Sequence, residues 1–108
     1  MTDRASIRAA RLTRVAKVGD ALAKSAERIA LDRRRSLEAE QQRLETVRKY
    51  CGDYGQLARE REVAGQSVNS LRMYREFSGW LSTLSQDQLD RVAQAEFFLE
   101  AAVDEARG

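Results

Sequence analysis

Few side chains in this chain could do covalent or metal chemistry. Cys51 is the single thiol and there is no histidine, which excludes a His-based triad, a His metal site, a His general base and a thiolate cage. The acidic residues fall on helical faces open to water, with no apolar pocket to raise a carboxyl pKa. Gly52 and Gly55 lack both the spacing and the Lys-Ser/Thr ending of a phosphate-binding loop. The chain is therefore expected to be non-enzymatic, with no metal and no other cofactor. Cys51 falls at a periodic apolar position and reads as a small packing residue rather than a reactive thiol.

What remains is the chemistry of recognition, carried by arginines and aromatic rings. Arg33-Arg34-Arg35 could touch phosphate, but Asp32, Glu38 and Glu40 dilute its field, and a solvated helix face is the simpler reading. A second basic group, Arg4, Arg8, Arg11, Arg14 and Lys17, stands against only Asp3 and Asp20. The aromatic residues are the more telling set. Tyr50 and Tyr54 precede Gly65, and Tyr74, Phe77 and Trp80 follow it. If Gly65 marks the bend of a helical hairpin, all five rings stand at one height on two neighbouring helices. Clustered exposed rings can anchor a partner, or they can simply wrap and stabilise the bend.

The elements that must position these residues follow from composition and periodicity. The chain has 108 residues, one third of them charged, and no proline, which argues for long uninterrupted helices in one domain, 1–108. In the first half a three-four spacing runs Leu12, Val15, Gly19, Leu22, Ala26, Ile29, Arg33. It slips by one four-residue step to Leu37, then resumes through Glu40, Leu44, Val47, Cys51, Tyr54 and Ala58. That slip predicts a stutter near Arg33–Leu37. The second half runs without a break through Leu71, Tyr74, Ser78, Leu81, Ser85, Gln88, Val92, Ala95, Leu99, Ala102 and Ala106.

Between the halves, the segment from Val63 to Asn69 combines turn and cap residues. Gly65 can take positive φ, and Ser67 or Asn69 can cap the second helix. The expected fold is all-α: an antiparallel two-helix coiled-coil hairpin bent near Gly65. Helix one covers about 3–62, the turn about 63–67 and helix two about 68–106, so the N-terminal helix is the longer. Gly52 and Gly55 read as tolerated helical glycines. Folded back at Gly65, helix two reaches to about residue 24 and leaves residues 3–23 as a basic overhang, which either frays or docks on something else.

Charge is divided between the halves. Residues 1–61 hold 15 basic and 9 acidic groups, and residues 62–108 hold 4 basic and 8 acidic. Opposite signs bias the halves toward each other, although exposed pairs contribute only a few tenths of a kcal/mol each. The N-terminal residues lack an apolar signal core, and no stretch approaches the ~18 apolar residues of a membrane span. A cytoplasmic protein is the expectation.

Two segments resemble a known family. Leu44-Glu45-Thr46-Val47-Arg48-Lys49-Tyr50-Cys51-Gly52-Asp53-Tyr54 resembles the paired-tyrosine segment of the flagellar export protein FliJ family. The run from Gly65 through Tyr74, Phe77 and Leu81 to Gln86 and Gln88 is similar to its second signature: a Gly-containing turn, Tyr-x-x-Phe-x-x-x-Leu and a Gln-bearing helix. The resemblance covers about residues 40–90, and the N-terminal third matches only in periodicity and charge.

The resemblance implies a two-helix stalk, similar in form to the central stalk of rotary ATPases, that serves flagellum biogenesis and type III protein export. Its implied partners are the ring of the export ATPase FliI, the cytoplasmic domain of the export-gate protein FlhA, and export chaperones. It implies no nucleic-acid partner and a place peripheral to the inner membrane at the flagellar base. By motif position, the gate-contacting surface would be Val47, Tyr50, Tyr54, Phe77, Leu81, Leu84 and Gln88. The basic overhang residues Arg4, Arg8, Arg11, Arg14 and Lys17 would face the ATPase. Alternatives are the related stalk of a virulence injectisome and a basic coiled coil that binds nucleic acid.

Overall fold

The computed structural model describes residues 3–65 and 67–108, with Val63 described through its backbone alone. Two helices, α1 (Arg4–Val63) and α2 (Val68–Arg107), fold back on each other as an antiparallel hairpin. The result is a rod of 97 × 17 × 15 Å. Its length is set by α1 alone, whose 60 residues span about 90 Å at the α-helical rise.

Local chemistry fixes the ends of both helices. The Asp3 carboxylate accepts from the Ala5 N–H at 3.2 Å and caps α1. At the bend, the Ala64 N–H donates to the Glu60 carbonyl and the Gly65 N–H to the Glu62 carbonyl. Gly65 takes φ 79°, a conformation that a Cβ would strain, so the chain leaves α1 at the residue best able to turn it. Of the two candidate caps for α2, Ser67 serves: its hydroxyl accepts from the Ser70 N–H at 3.3 Å. Gly52 and Gly55 lie inside α1 without interrupting it. Gln66, within the expected turn, lies outside the described residues.

A single thin seam holds the helices together. Leu44 and Ala58 of α1 and Leu81, Val92 and Ala102 of α2 form its buried apolar part. None of these is wholly sealed from water, as expected when one layer of side chains has solvent on both flanks. All eleven α2 positions predicted from the three-four spacing, Leu71 through Ala106, are buried or half-buried. So are Leu37 through Ala58 on α1.

The seam of α1 differs from the sequence reading upstream of Leu37. Ile29 is 50% exposed, while Ala26 and Ala30 are half-buried. Taking Ala30 in place of Ile29 lets the three-four alternation run from Ala58 back to Ala26, and no stutter near Arg33–Leu37 is needed. A small residue serves here because α2 also presents small residues, Ala102 and Ala106, which let the two backbones approach. Arg33 stays exposed, with its guanidinium 4.9 Å from the centroid of the Phe98 ring.

The charge division plays a smaller part than composition suggests. Among the described residues, the ion pairs Arg35–Asp32 and Arg43–Glu40 both lie within α1, and none joins the two helices. Opposite charge can act only at longer range, as a weak bias toward pairing. No described helix is long and apolar enough to cross a membrane.

Candidate partner-binding surface

The hairpin brings four of the five bend aromatics into one row. Tyr54 on α1 stacks on Tyr74 of α2, with ring centroids 5.6 Å apart and an interplanar angle of 19°. Phe77 tilts against Tyr54 at 4.4 Å and against Trp80 at 5.4 Å. Tyr54 and Tyr74 belong to the seam, and the Tyr54–Phe77–Trp80 contacts lead outward from it along one flank. Trp80, at the outer end, is 56% exposed. Tyr50 stands one turn below on α1, 55% exposed, outside this row.

The same flank stays open from these rings toward the turn. Tyr54, Leu57, Ala58, Arg61, Met73 and Tyr74 line a shallow groove beside the bend. Leu57 and Met73 are exposed. Sequence reasoning missed both, though a signal was present: each sits one position before a seam residue, Ala58 and Tyr74, where it must flank the seam. Rings and aliphatic side chains therefore face water together along one flank of the bend, an arrangement suited to docking an apolar partner surface.

The seven residues suggested for gate contact divide by burial. Tyr50 is open to solvent. Val47, Tyr54, Phe77 and Leu84 are half-buried at the seam's edges, so part of each ring or side chain is accessible. Leu81 and Gln88, by contrast, are 4% and 6% exposed. Their side chains are occupied by α1, and a partner could reach them only if the helices parted.

Gln88 has a specific task inside the seam. Its amide donates to the Glu40 backbone carbonyl at 2.9 Å and to Glu40 Oε2 at 2.6 Å. Arg43 donates to the other carboxylate oxygen from one turn further along α1. The Gln88 hydrogen bond is the main influence holding the Glu40 carboxyl below its ordinary value, aided by the charges of Arg43 and Arg91 and opposed by burial. A second polar contact, Cys51 Sγ to Ser85 Oγ at 3.4 Å, lies on the bend side of this pair. Cys51 is half-buried, as its seam position predicted. Among the described residues, no group of three or more Cys, Asp or Glu side chains converges as a metal site would require.

At the other end of the rod, α1 runs on alone. Ala106 and Arg107 of α2 pack near Glu27, Ala30 and Leu31. Every residue from Arg4 to Ser25 is exposed, yet this segment remains helical. Arg4, Arg8, Arg11, Arg14 and Lys17 all lie there, together with exposed Leu12, Val15, Val18 and Leu22. The rod thus has an aromatic end and a bare basic end. No family model, curated protein or solved structure matches the chain.

Proposed function

We propose that this protein is a non-enzymatic stalk of the flagellar type III export apparatus. Its bare basic end engages the ring of the export ATPase FliI, and its aromatic bend engages the cytoplasmic domain of the gate protein FlhA. The observation that carries the reading is the polarity of the rod. Two chemically distinct surfaces stand at opposite ends of a 97 Å hairpin, as a part that spans two partners requires. The paired-tyrosine and Tyr-x-x-Phe-x-x-x-Leu motifs both lie at the bend, where the exposed rings are. Export chaperones are the third class of partner on this reading, and the protein works in the cytoplasm at the flagellar base.

Burial narrows the gate-contacting set. Tyr50 and Trp80 are the rings a partner can cover most fully, with the outer edges of Phe77 and Leu84 beside them. Leu81 and Gln88 then support the surface from within the seam.

The test is retention of the gate cytoplasmic domain, and separately of the ATPase, by wild-type protein and by Tyr50→Ala. Tyr50 is exposed and outside the ring row, so its loss should leave thermal unfolding unchanged while weakening gate retention. Full gate retention by Tyr50→Ala and by Trp80→Ala would show that the rings stabilise the bend only.

A further inference from the structure

The seam of α1 does not end where α2 ends. The alternation that buries or half-buries Ala58, Tyr54, Cys51, Val47, Leu44, Glu40, Leu37, Ala30 and Ala26, with exposed Arg33 between the last two and Leu37, continues without a phase change to Ala23, Gly19, Ala16, Leu12, Ala9 and Ala5. Leu22, Val15 and Val18 flank this line on one side, by helical geometry at 100° per residue. Leu12, Val15 and Leu22 are 64%, 69% and 66% exposed. The helix-pairing face is therefore present along the whole of α1, while α2 covers only its upper part.

Charge decides what fits the uncovered part. Residues 4–25 contain six basic side chains and the single acid Asp20. A second copy of this overhang would bring the same positive charge against it, and like charges across a helix pair oppose pairing. An acidic helix meets no such repulsion.

We infer that residues 4–25 dock an acidic amphipathic α-helix, about twenty residues long, which continues the path of α2 antiparallel to α1. Small Ala and Gly residues on the α1 side leave room for large ones, Leu or Ile, on the partner. Glutamates or aspartates at its flanking positions face Arg4, Arg8, Arg11 and Lys17. Direction follows from the helix dipoles. Entering head to tail, the partner sets its positive N-terminus beside the carbonyl end of α2 at Gly108, whereas the reverse orientation sets two negative ends together. The inference builds on the overhang as the stalk's docking end, and it holds whichever protein supplies the helix.

The probe is a synthetic 21-residue helix with leucines on one face and glutamates beside them, added to the full chain and followed by fluorescence anisotropy at 150 mM salt. It should bind one to one. The double variant Leu12→Gln/Leu22→Gln, which changes only exposed positions, should weaken binding by about tenfold or more. A lysine-for-glutamate version of the peptide should not bind. A thiol at the peptide's N-terminus, coupled to the maleimide end of a short maleimide–succinimidyl ester linker, should be joined to the Lys24 amine through the ester end, and one at its C-terminus should not.

Equal binding by the double variant would reduce the effect to bulk charge and overturn the proposal. So would displacement of the peptide by an equimolar DNA duplex, cross-linking from the peptide's C-terminus, or self-association of the chain through residues 4–25 in sedimentation. If the peptide behaves as expected and the export ATPase is not retained, helix docking stands and the export assignment falls. ATPase retention and peptide binding that both survive Leu12→Gln/Leu22→Gln would leave the export reading standing and overturn the docked helix.

Discussion

Leu81→Ala separates the two roles that Leu81 can have. It is the most buried apolar side chain in the seam, at 4% exposure. The substitution removes three carbons, each worth about 0.8 kcal/mol when buried, so the transfer cost is about 2–3 kcal/mol. In a thick core a cavity would add to this. Here one layer of side chains has solvent on both flanks, so the helices can close on the gap and the added cost stays small. A loss of about 2–3 kcal/mol corresponds to a fall in Tm of roughly 10–20 °C for a domain of this size. The assay is urea unfolding followed by far-ultraviolet circular dichroism, with Tyr50→Ala, exposed and outside the ring row, as the control at a cost of under about 0.5 kcal/mol. A Leu81→Ala protein that unfolds like wild type but no longer retains the gate domain would refute the seam role and make Leu81 a contact residue.

The remaining expectations concern backbone and charge. Gly52→Ala has open space around its Cβ and lies inside α1, so it should stabilise by up to about 1 kcal/mol in the same unfolding assay. Gly65→Ala also has open space but inherits φ +79°, so it should cost about 1 kcal/mol, with the difference due to backbone conformation alone. Glu40 has a lowered carboxyl pKa in the folded chain, so the stability it confers is present above its unfolded pKa and is lost as pH falls through the folded value. Gln88→Met removes the main cause of that shift. The acid-dependent loss of stability should therefore shrink in this variant, as a pH series of thermal melts would show.

The hairpin was legible because its cause is periodic. A three-four spacing on two segments, separated by Gly65 and Ser67, leaves few other ways to bury apolar surface. The seam of α2 could be read residue by residue. That of α1 could be read only from Leu37 onward, because apolarity alone ranks Ile29 above Ala30. The structure prefers the alanine, since close packing against Ala102 and Ala106 limits side-chain size as much as it requires an apolar surface. The aromatic site was legible in outline. Spacing placed Tyr54 and Tyr74 in the seam and Tyr50, Phe77 and Trp80 outward, but it could not show Phe77 lying against Tyr54 or Tyr54 stacked on Tyr74. Those depend on ring orientations across the two helices, which no single-helix pattern encodes.

Gln88 is a polar residue at a seam position, and its burial bears directly on how a rod could connect two partners. Apolar seams made of small residues specify register poorly, because a slip of one heptad exchanges one alanine for another at little cost. A slip of α2 by seven residues would set Gln88 opposite Arg33 or Val47 instead of Glu40. Neither offers a carboxylate, so the buried amide would lose its Oε2 partner, and a buried polar group without a partner is costly. The same slip would shift the bend rings by about 10 Å along α1 and part Tyr54 from Tyr74. One polar pair in the middle of the seam thus reinforces the register that the turn at Gly65 sets, and with it how far α2 extends along α1. That register sets both the arrangement of the aromatic end and the length of helix left bare at the basic end.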